Sequence, residues 1–306
     1  MKDTFEACVT ATYGRHLLVR DASGKELQAR PFGRGLTVVC GDNVRCREDP
    51  HHSEVHVVEV LPRRSALYRS NLRGATEPVV ANLSRLLVVL APLPAPELFV
   101  IDRYLAAAES SGIAGLLVVN KSDLGINAEL RAELDAYTAA GYRWLPCSVR
   151  NGKGVDSVQE VCAGGVAALV GQSGVGKSSL VDQLIPDAGV EIGSLVREEE
   201  GRHTTTASRL FNLPRGGALI DSPGVRDFAP AVDRLDGRSL GFVEVERLAP
   251  RCRFNDCRHM REPNCAVRDA SETSGGEMSP RRYESYRRLR RLYEELTAAR
   301  GPERRR

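Results

Sequence analysis

Eight consecutive residues, Gly171-Gln172-Ser173-Gly174-Val175-Gly176-Lys177-Ser178, have the composition of a loop that wraps phosphate oxygens. The glycines permit backbone conformations in which successive N–H groups turn inward. An apolar run, Val166 to Val170, precedes the loop, and a helical pattern through Leu184 follows it. That strand–loop–helix context is the one this pattern requires. Helix N-terminal amides supply further donors and a field that favours anions. In this frame Lys177 reaches the β- and γ-phosphates and the Ser178 hydroxyl ligates magnesium, with Ser179 next in the same binding turn. The chain has five lysines against a large arginine excess, so a lysine here is informative. A compact point charge, not a planar fork, fits inside a phosphate loop.

A base-reading group lies upstream. Asn120-Lys121-Ser122-Asp123 ends the apolar run Gly115 to Val119. A carboxylate there accepts two hydrogen bonds at once, from guanine N1–H and the exocyclic amine, and adenine offers no such pair. Asn120 either meets the acceptor edge of the base or braces the phosphate loop, and the stem of Lys121 can cover the ring. Four residues of this type are a weak signal alone and a strong one beside a phosphate loop. Cys147-Ser148, ending the next apolar run, is placed to offer backbone amides to the base O6.

Asp221-Ser222-Pro223-Gly224 follows the apolar run Ala218 to Ile220. An aspartate there holds the magnesium water shell, and the Gly224 N–H contacts the γ-phosphate. The next residue is Val225, which cannot hydrogen-bond an attacking water, so hydrolysis by the chain alone should be slow. Gly201 to Thr206 lies where a threonine would close over magnesium. Thr205 is the favoured ligand, not separable by sequence from Thr204 and Thr206. His203 is the remaining candidate catalytic residue to orient or polarise water.

Cys252-x4-Cys257-x-His259-x5-Cys265 places three thiolates and an imidazole within fourteen residues. Four such ligands suit a closed, tetrahedral, structural zinc ion with no open position for catalysis. His51, His52 and His56 read instead as surface residues. The first ten residues carry acidic groups and no apolar core, and no apolar run is long enough to span a bilayer. The chain therefore reads as cytoplasmic, with reduced thiols and no membrane partner. A net charge of +3 rules out a polycation.

These groups need positioning elements. Ala7 to Tyr13, Arg15 to Arg20, Leu36 to Cys40, Asn43 to Cys46 and Val55 to Leu61 read as short strands between glycine-bearing turns. About five strands in this length favour an OB-fold β-barrel over residues 1–66. From about Leu83, apolar runs alternate with helical patterns, the texture of an α/β sheet covered on both faces, over residues 67–230. Residues 231–306 hold the metal cluster and end in a helix, Pro280 to Ala299, whose outer positions include Arg281, Arg282, Arg287, Arg288, Arg290 and Arg291. Those arginines offer either a phosphate-binding surface or a solvated coat. The fold class is thus multidomain α/β. Since the base-reading strand precedes the phosphate loop, the chain leaves the core just after Gly224, which tethers that switch to the metal domain.

The order Asn120 to Asp123, Cys147-Ser148, Gly171 to Ser178, Gly201 to Thr206, Asp221 to Gly224 resembles the circularly permuted GTPases. With the N-terminal barrel and the Cys/His spacing, it resembles the small-ribosomal-subunit-dependent GTPase A (RsgA) family across nearly the whole chain. The resemblance implies an OB-fold, a permuted GTPase domain and a zinc-binding domain. It implies GTP with Mg2+ and one structural Zn2+ as cofactors. It also implies late maturation of the small ribosomal subunit, contact with its rRNA and other assembly factors, a monomer, GTP hydrolysis stimulated by the subunit, and His203 as the hydrolytic residue.

Overall fold

The computed structural model describes residues 4–14, 16–33, 35–48, 55–70, 75–185, 207–226 and 229–300. Strands β1 (Thr4–Tyr13), β2 (His16–Asp21), β3 (Glu26–Pro31), β4 (Asn43–Glu48) and β5 (Val55–Val60) form the N-terminal barrel. Their order is β1-β2-β3-β5-β4, and a β1–β4 pairing closes the ring. Only β3 and β5 run parallel. Alternation sends Val9, Leu17, Val19, Ala29, Val44, Cys46, Val55 and Val57 inward as a small core of its own. Strand β3 escapes a hydrophobicity reading because its sequence is Glu-Leu-Gln-Ala-Arg-Pro and only Ala29 is buried. The expected strand over Leu36 to Cys40 does not form a ladder. Leu36 and Val38 do pack on the barrel core. The amide of Val39, however, donates to the buried carboxylate of Asp42 at 2.9 Å, and Cys40 makes a single bridge to Val80.

Two further strands, β6 (Ala66–Ser70) and β7 (Thr76–Ala81), form a separate antiparallel pair that no clear apolar alternation marks in the sequence. Then come β8 (Arg85–Leu90), α1 (Leu98–Ser110), β9 (Ala114–Val119), α2 (Ala128–Ala140), β10 (Arg143–Pro146), α3 (Val155–Cys162), β11 (Val166–Val170), α4 (Lys177–Leu184), β12 (Ser208–Asn212) and β13 (Ala218–Asp221). The sheet order is β10-β9-β8-β11-β13-β12, parallel except for β12. Along β8, Leu86, Val88 and Leu90 enter one core, while Leu87 and Val89 enter the other. Both faces are covered, which explains the unbroken apolar run. Strand β1 pairs with β12, Ala11 opposite Arg209 and Thr12 opposite Ser208, so barrel and α/β sheet are continuous.

The remaining helices are α5 (Pro223–Arg226), α6 (Val243–Leu248), α7 (Ala266–Glu272) and α8 (Pro280–Arg300). Helix α8 is less a basic surface than its composition suggests. Arg282 is 1% exposed and Arg290 5%. Arg282 forks onto Glu244 and also reaches Asp102 at 2.6 Å. Arg281 pairs with Asp102 and Glu133, and Arg290 donates to the carbonyls of Gly237 and Arg238. Arg288 and Arg291 are the exposed members of the set.

Candidate functional site: a phosphate loop, a base pocket and a thiolate cluster

The phosphate loop leaves β11 and opens α4, where parallel strand ends gather ligands. Gly171 and Gly176 have φ of +146° and +92°. A side chain at Gly171 would collide with the Val89 carbonyl, and one at Gly176 with the Asn120 amide. These two glycines therefore let the loop lie flat against its neighbours. Lys177 is 6% exposed. Its ammonium donates to the carbonyls of Gly171 at 2.6 Å and Gln172 at 2.9 Å, spanning the mouth of the loop. Gln172 ties the loop to the segment after β8, accepting from the Glu97 amide and donating to the Ala95 carbonyl.

Asn120 is 2% exposed and is committed on both sides. Its amide donates to the Val175 carbonyl at 2.9 Å, and its oxygen accepts from the Val149 amide at 3.3 Å. Of the two roles open to it, the structure shows the brace. Lys121, at φ +56°, bonds the carbonyls of Gly174 and Leu93 at 2.6 and 3.1 Å. Asp123 accepts from the Ser148 hydroxyl at 2.6 Å, and this bond above all holds its carboxyl below the usual carboxylate range. The carboxylate, ionised at neutral pH as any exposed aspartate is, keeps its acceptor oxygens. The backbone amides of Cys147 and Ser148 are already committed, to the carbonyls of Val119 and Lys153. Cys147 is fully buried, and Ser148 acts through its hydroxyl. Asn120, Lys121, Asp123, Val149, Gly176 and Ser179 line a cavity of about 390 Å³ between base reader and phosphate loop.

Ser178 and Asp221 present a hydroxyl and a carboxylate at the same opening, an oxygen donor set that suits a small hard cation. A third residue, not foreseen from sequence, joins them. Arg226 donates to both Asp221 oxygens, at 2.8 and 2.6 Å, and to the Ser178 hydroxyl at 2.9 Å. Nothing in the spacing Asp221-x4-Arg226 marks it. Gly224 has room beside it, the nearest atoms to an added side chain being at 3.5 Å. Val225 is 1% exposed and belongs to the core under the sheet. Gly201 to Thr206, with His203 and Thr205, and His51 and His52 lie outside the described residues.

Sγ of Cys252, Cys257 and Cys265 and a ring nitrogen of His259 lie within 4.8 Å of one another. Nδ1 of His259 is 3.5 Å from the Cys252 sulfur and 3.4 Å from that of Cys265. His259 sits at φ +59°, and its carbonyl accepts from Tyr283 of α8 at 2.9 Å. Burial and the nearby Arg290 push its imidazole down to about 4, so the ring is neutral at physiological pH. Burial pushes the Cys257 thiol up to about 12. A bound cation is what would keep three such sulfurs as thiolates together.

The RsgA GTPase family model matches residues 60–230. Over 257 residues the chain is 46% identical to the small ribosomal subunit biogenesis GTPase RsgA of Azotobacter vinelandii, covering 82% of this chain and 74% of that one. It is 42% identical over 285 residues to the protein of that name from Pseudomonas aeruginosa, covering 92% and 83%. Among solved structures, YjeQ from Thermotoga maritima superposes with a TM-score of 0.72 at 25% identity, over 98% of this chain and 100% of that chain. YloQ, a circularly permuted GTPase, superposes with a TM-score of 0.71 at 22% identity, over 98% and 97%, a likeness of fold. The phosphate loop, which follows Asn120 to Asp123 in the chain, is therefore that of a GTP hydrolase, and the chain belongs to the RsgA GTPase family.

Proposed function

We propose that this GTPase binds the small ribosomal subunit and its rRNA and hydrolyses GTP to GDP and phosphate as a checkpoint in late small-subunit maturation. Turnover is slow for the chain alone and is stimulated by the subunit. The names of the relatives support the partner. The observation that carries the kinetic part is Val225. It stands directly after Gly224, where a water-orienting side chain would be useful, and it is buried in the core instead. A binding site without a water-orienting group at this position makes a timer that needs outside help.

His203 is the residue we assign to that help, ordered by the subunit. Magnesium accompanies GTP, held by Ser178 and Thr205 with Asp221 behind. The three-thiolate, one-imidazole set selects zinc, which is tetrahedral and tolerant of such mixed ligands. The working division is an RNA-binding barrel over 1–66, a GTPase domain over 67–230 and a zinc domain over 231–306. The protein works as a cytoplasmic monomer among other small-subunit assembly factors. No helix among the described residues is long and apolar enough to cross a membrane.

The test is GTP turnover with and without purified small subunits, in the wild type and in His203→Ala. The expected result is stimulation by the subunit that falls by about 10²-fold in the variant, the scale of a single acid–base or water-orienting group. A wild-type rate indifferent to the subunit would overturn the checkpoint, and full stimulation of the variant would overturn the role of His203.

A further inference from the structure

Arg226 occupies an unusual place. All three nitrogens of its guanidinium are engaged, two with the Asp221 carboxylate and one with the Ser178 hydroxyl. Its side chain is 26% exposed and that of Asp221 10%, so the pair is mostly shielded from solvent. The contact spans 48 residues of sequence to reach the phosphate loop. A surface arginine satisfied by a carboxylate has no need of a serine hydroxyl at the mouth of a nucleotide site. The two oxygen donors it bridges, a hydroxyl and a carboxylate, also suit a divalent cation, and a cation shared by them would stand where the guanidinium stands.

We propose that Arg226 is an internal counter-cation for this site. It holds Ser178 and Asp221 in place when magnesium is not bound there, and it must withdraw for magnesium to share those oxygens. This reading rests on the assignment of Ser178 and Asp221 to magnesium. Two effects follow, and they act in the same direction. The positive charge beside the loop stabilises the nucleotide phosphates without a metal, which raises metal-free affinity. The same charge competes with the metal, which lowers the gain that magnesium brings. Arg226 thus makes nucleotide affinity less dependent on magnesium. It is a positioning residue, carried on the one-turn helix α5 directly after the buried Val225. Its withdrawal is also a means by which metal loading is felt at the segment that leads from the GTPase core toward α6.

The test is the affinity for a fluorescent GDP measured in excess MgCl2 and in EDTA, for the wild type, Arg226→Ala and Arg226→Lys. The readout is the magnesium gain, the dissociation constant in EDTA divided by that in MgCl2. Removing a forked, charge-assisted contact should raise that ratio by about tenfold in Arg226→Ala. Lysine restores the charge but not the fork, so Arg226→Lys should fall between. A residue that merely stabilised the fold would change both affinities together and leave the ratio unmoved, and an unmoved ratio in a folded variant overturns the proposal. If Arg226→Ala does not fold by circular dichroism, a ratio for the neutral Arg226→Gln equal to that of the wild type overturns it instead. Absence of GDP binding by the wild type would sink the nucleotide site itself. A raised magnesium ratio in Ser178→Ala as well would overturn only the assignment of that hydroxyl to the metal.

Discussion

Asp123 is the residue to which we assign the choice of base. Its carboxylate is an acceptor only, accepting already from the Ser148 hydroxyl, and guanine offers it two donors. In Asp123→Asn one acceptor becomes an NH2 group facing a donor on the base. Losing hydrogen bonds to a charged acceptor costs about 1.5–3 kcal/mol each, so GTP affinity should drop by about 10²-fold or more. Xanthosine nucleotides, which carry a carbonyl in place of the exocyclic amine, should gain relative to guanosine ones. Competition binding with the two nucleotides checks this, and unchanged preference would remove Asp123 from the base pocket. The residue types at this site were legible in the sequence because each has few alternative uses: a glycine-rich loop ending in Lys-Ser, and a carboxylate after a buried strand. What was not legible is who satisfies whom. Asn120 could have met the base or the loop, and only its bonds to Val175 and Val149 separate the two. Arg226 carried no signal, because an arginine five residues from an aspartate is ordinary in a chain this rich in arginine.

At the scale of elements, hydrophobic pattern found those that bury a face and missed those that do not. Strand β8 buries both faces, so its apolar run is unmistakable. Strand β3 is held between β2 and β5 by backbone bonds and contributes one buried residue. The β6–β7 pair was missed for a similar reason, as Thr76 to Val79 are only half-buried. The loop carrying the thiolates is a further case in which local bonds, not apolar area, fix the shape. Glu262 accepts from the amides of Arg258, Met260 and Arg261 at 2.8–3.0 Å. Burial opposes ionisation of this group, but those amides win and bring its carboxyl down to about 2. A value below the ordinary 4.5 means the bonds contribute fully above that pH and fade only as pH falls toward 2. At neutral pH, Glu262→Ala should free the loop between His259 and Cys265. Release of the bound metal to a colorimetric chelator should then be faster than from the wild type, with the GTP affinity unchanged. Equal release rates would mean that the sulfurs and Tyr283 alone fix the loop.

At the scale of the molecule, chain order tethers the switch after Gly224 to the C-terminal region, so a motion of that region relative to the GTPase core is one way the switch could act. The packing sets a cost on that motion. Helix α8 is bound to α1 and α6 through Arg282, whose guanidinium sits among Asp102, Glu244 and the rings of Tyr137, Tyr142 and Phe242. Tyr137 of α2 donates to the same Asp102 at 2.9 Å. Arg282, Asp102 and Glu244 are each 1% exposed, so α8 cannot leave α1 without stranding buried charge. Arg282 therefore joins the C-terminal helix to the GTPase core. Arg282→Met leaves the Glu244 carboxylate without its partner, and Asp102 with only Arg281 and Tyr137, and should destabilise the chain by about 3–5 kcal/mol. The double variant Arg282→Met with Glu244→Gln should recover part of the loss, because one stranded charge is then gone. Thermal melting of the two variants and the wild type reads both effects. If the double variant melts at or below the temperature of the single one, the buried charges are not what joins the two regions. In that case the apolar contacts of Tyr286 and Leu289 in the shared core carry the junction instead.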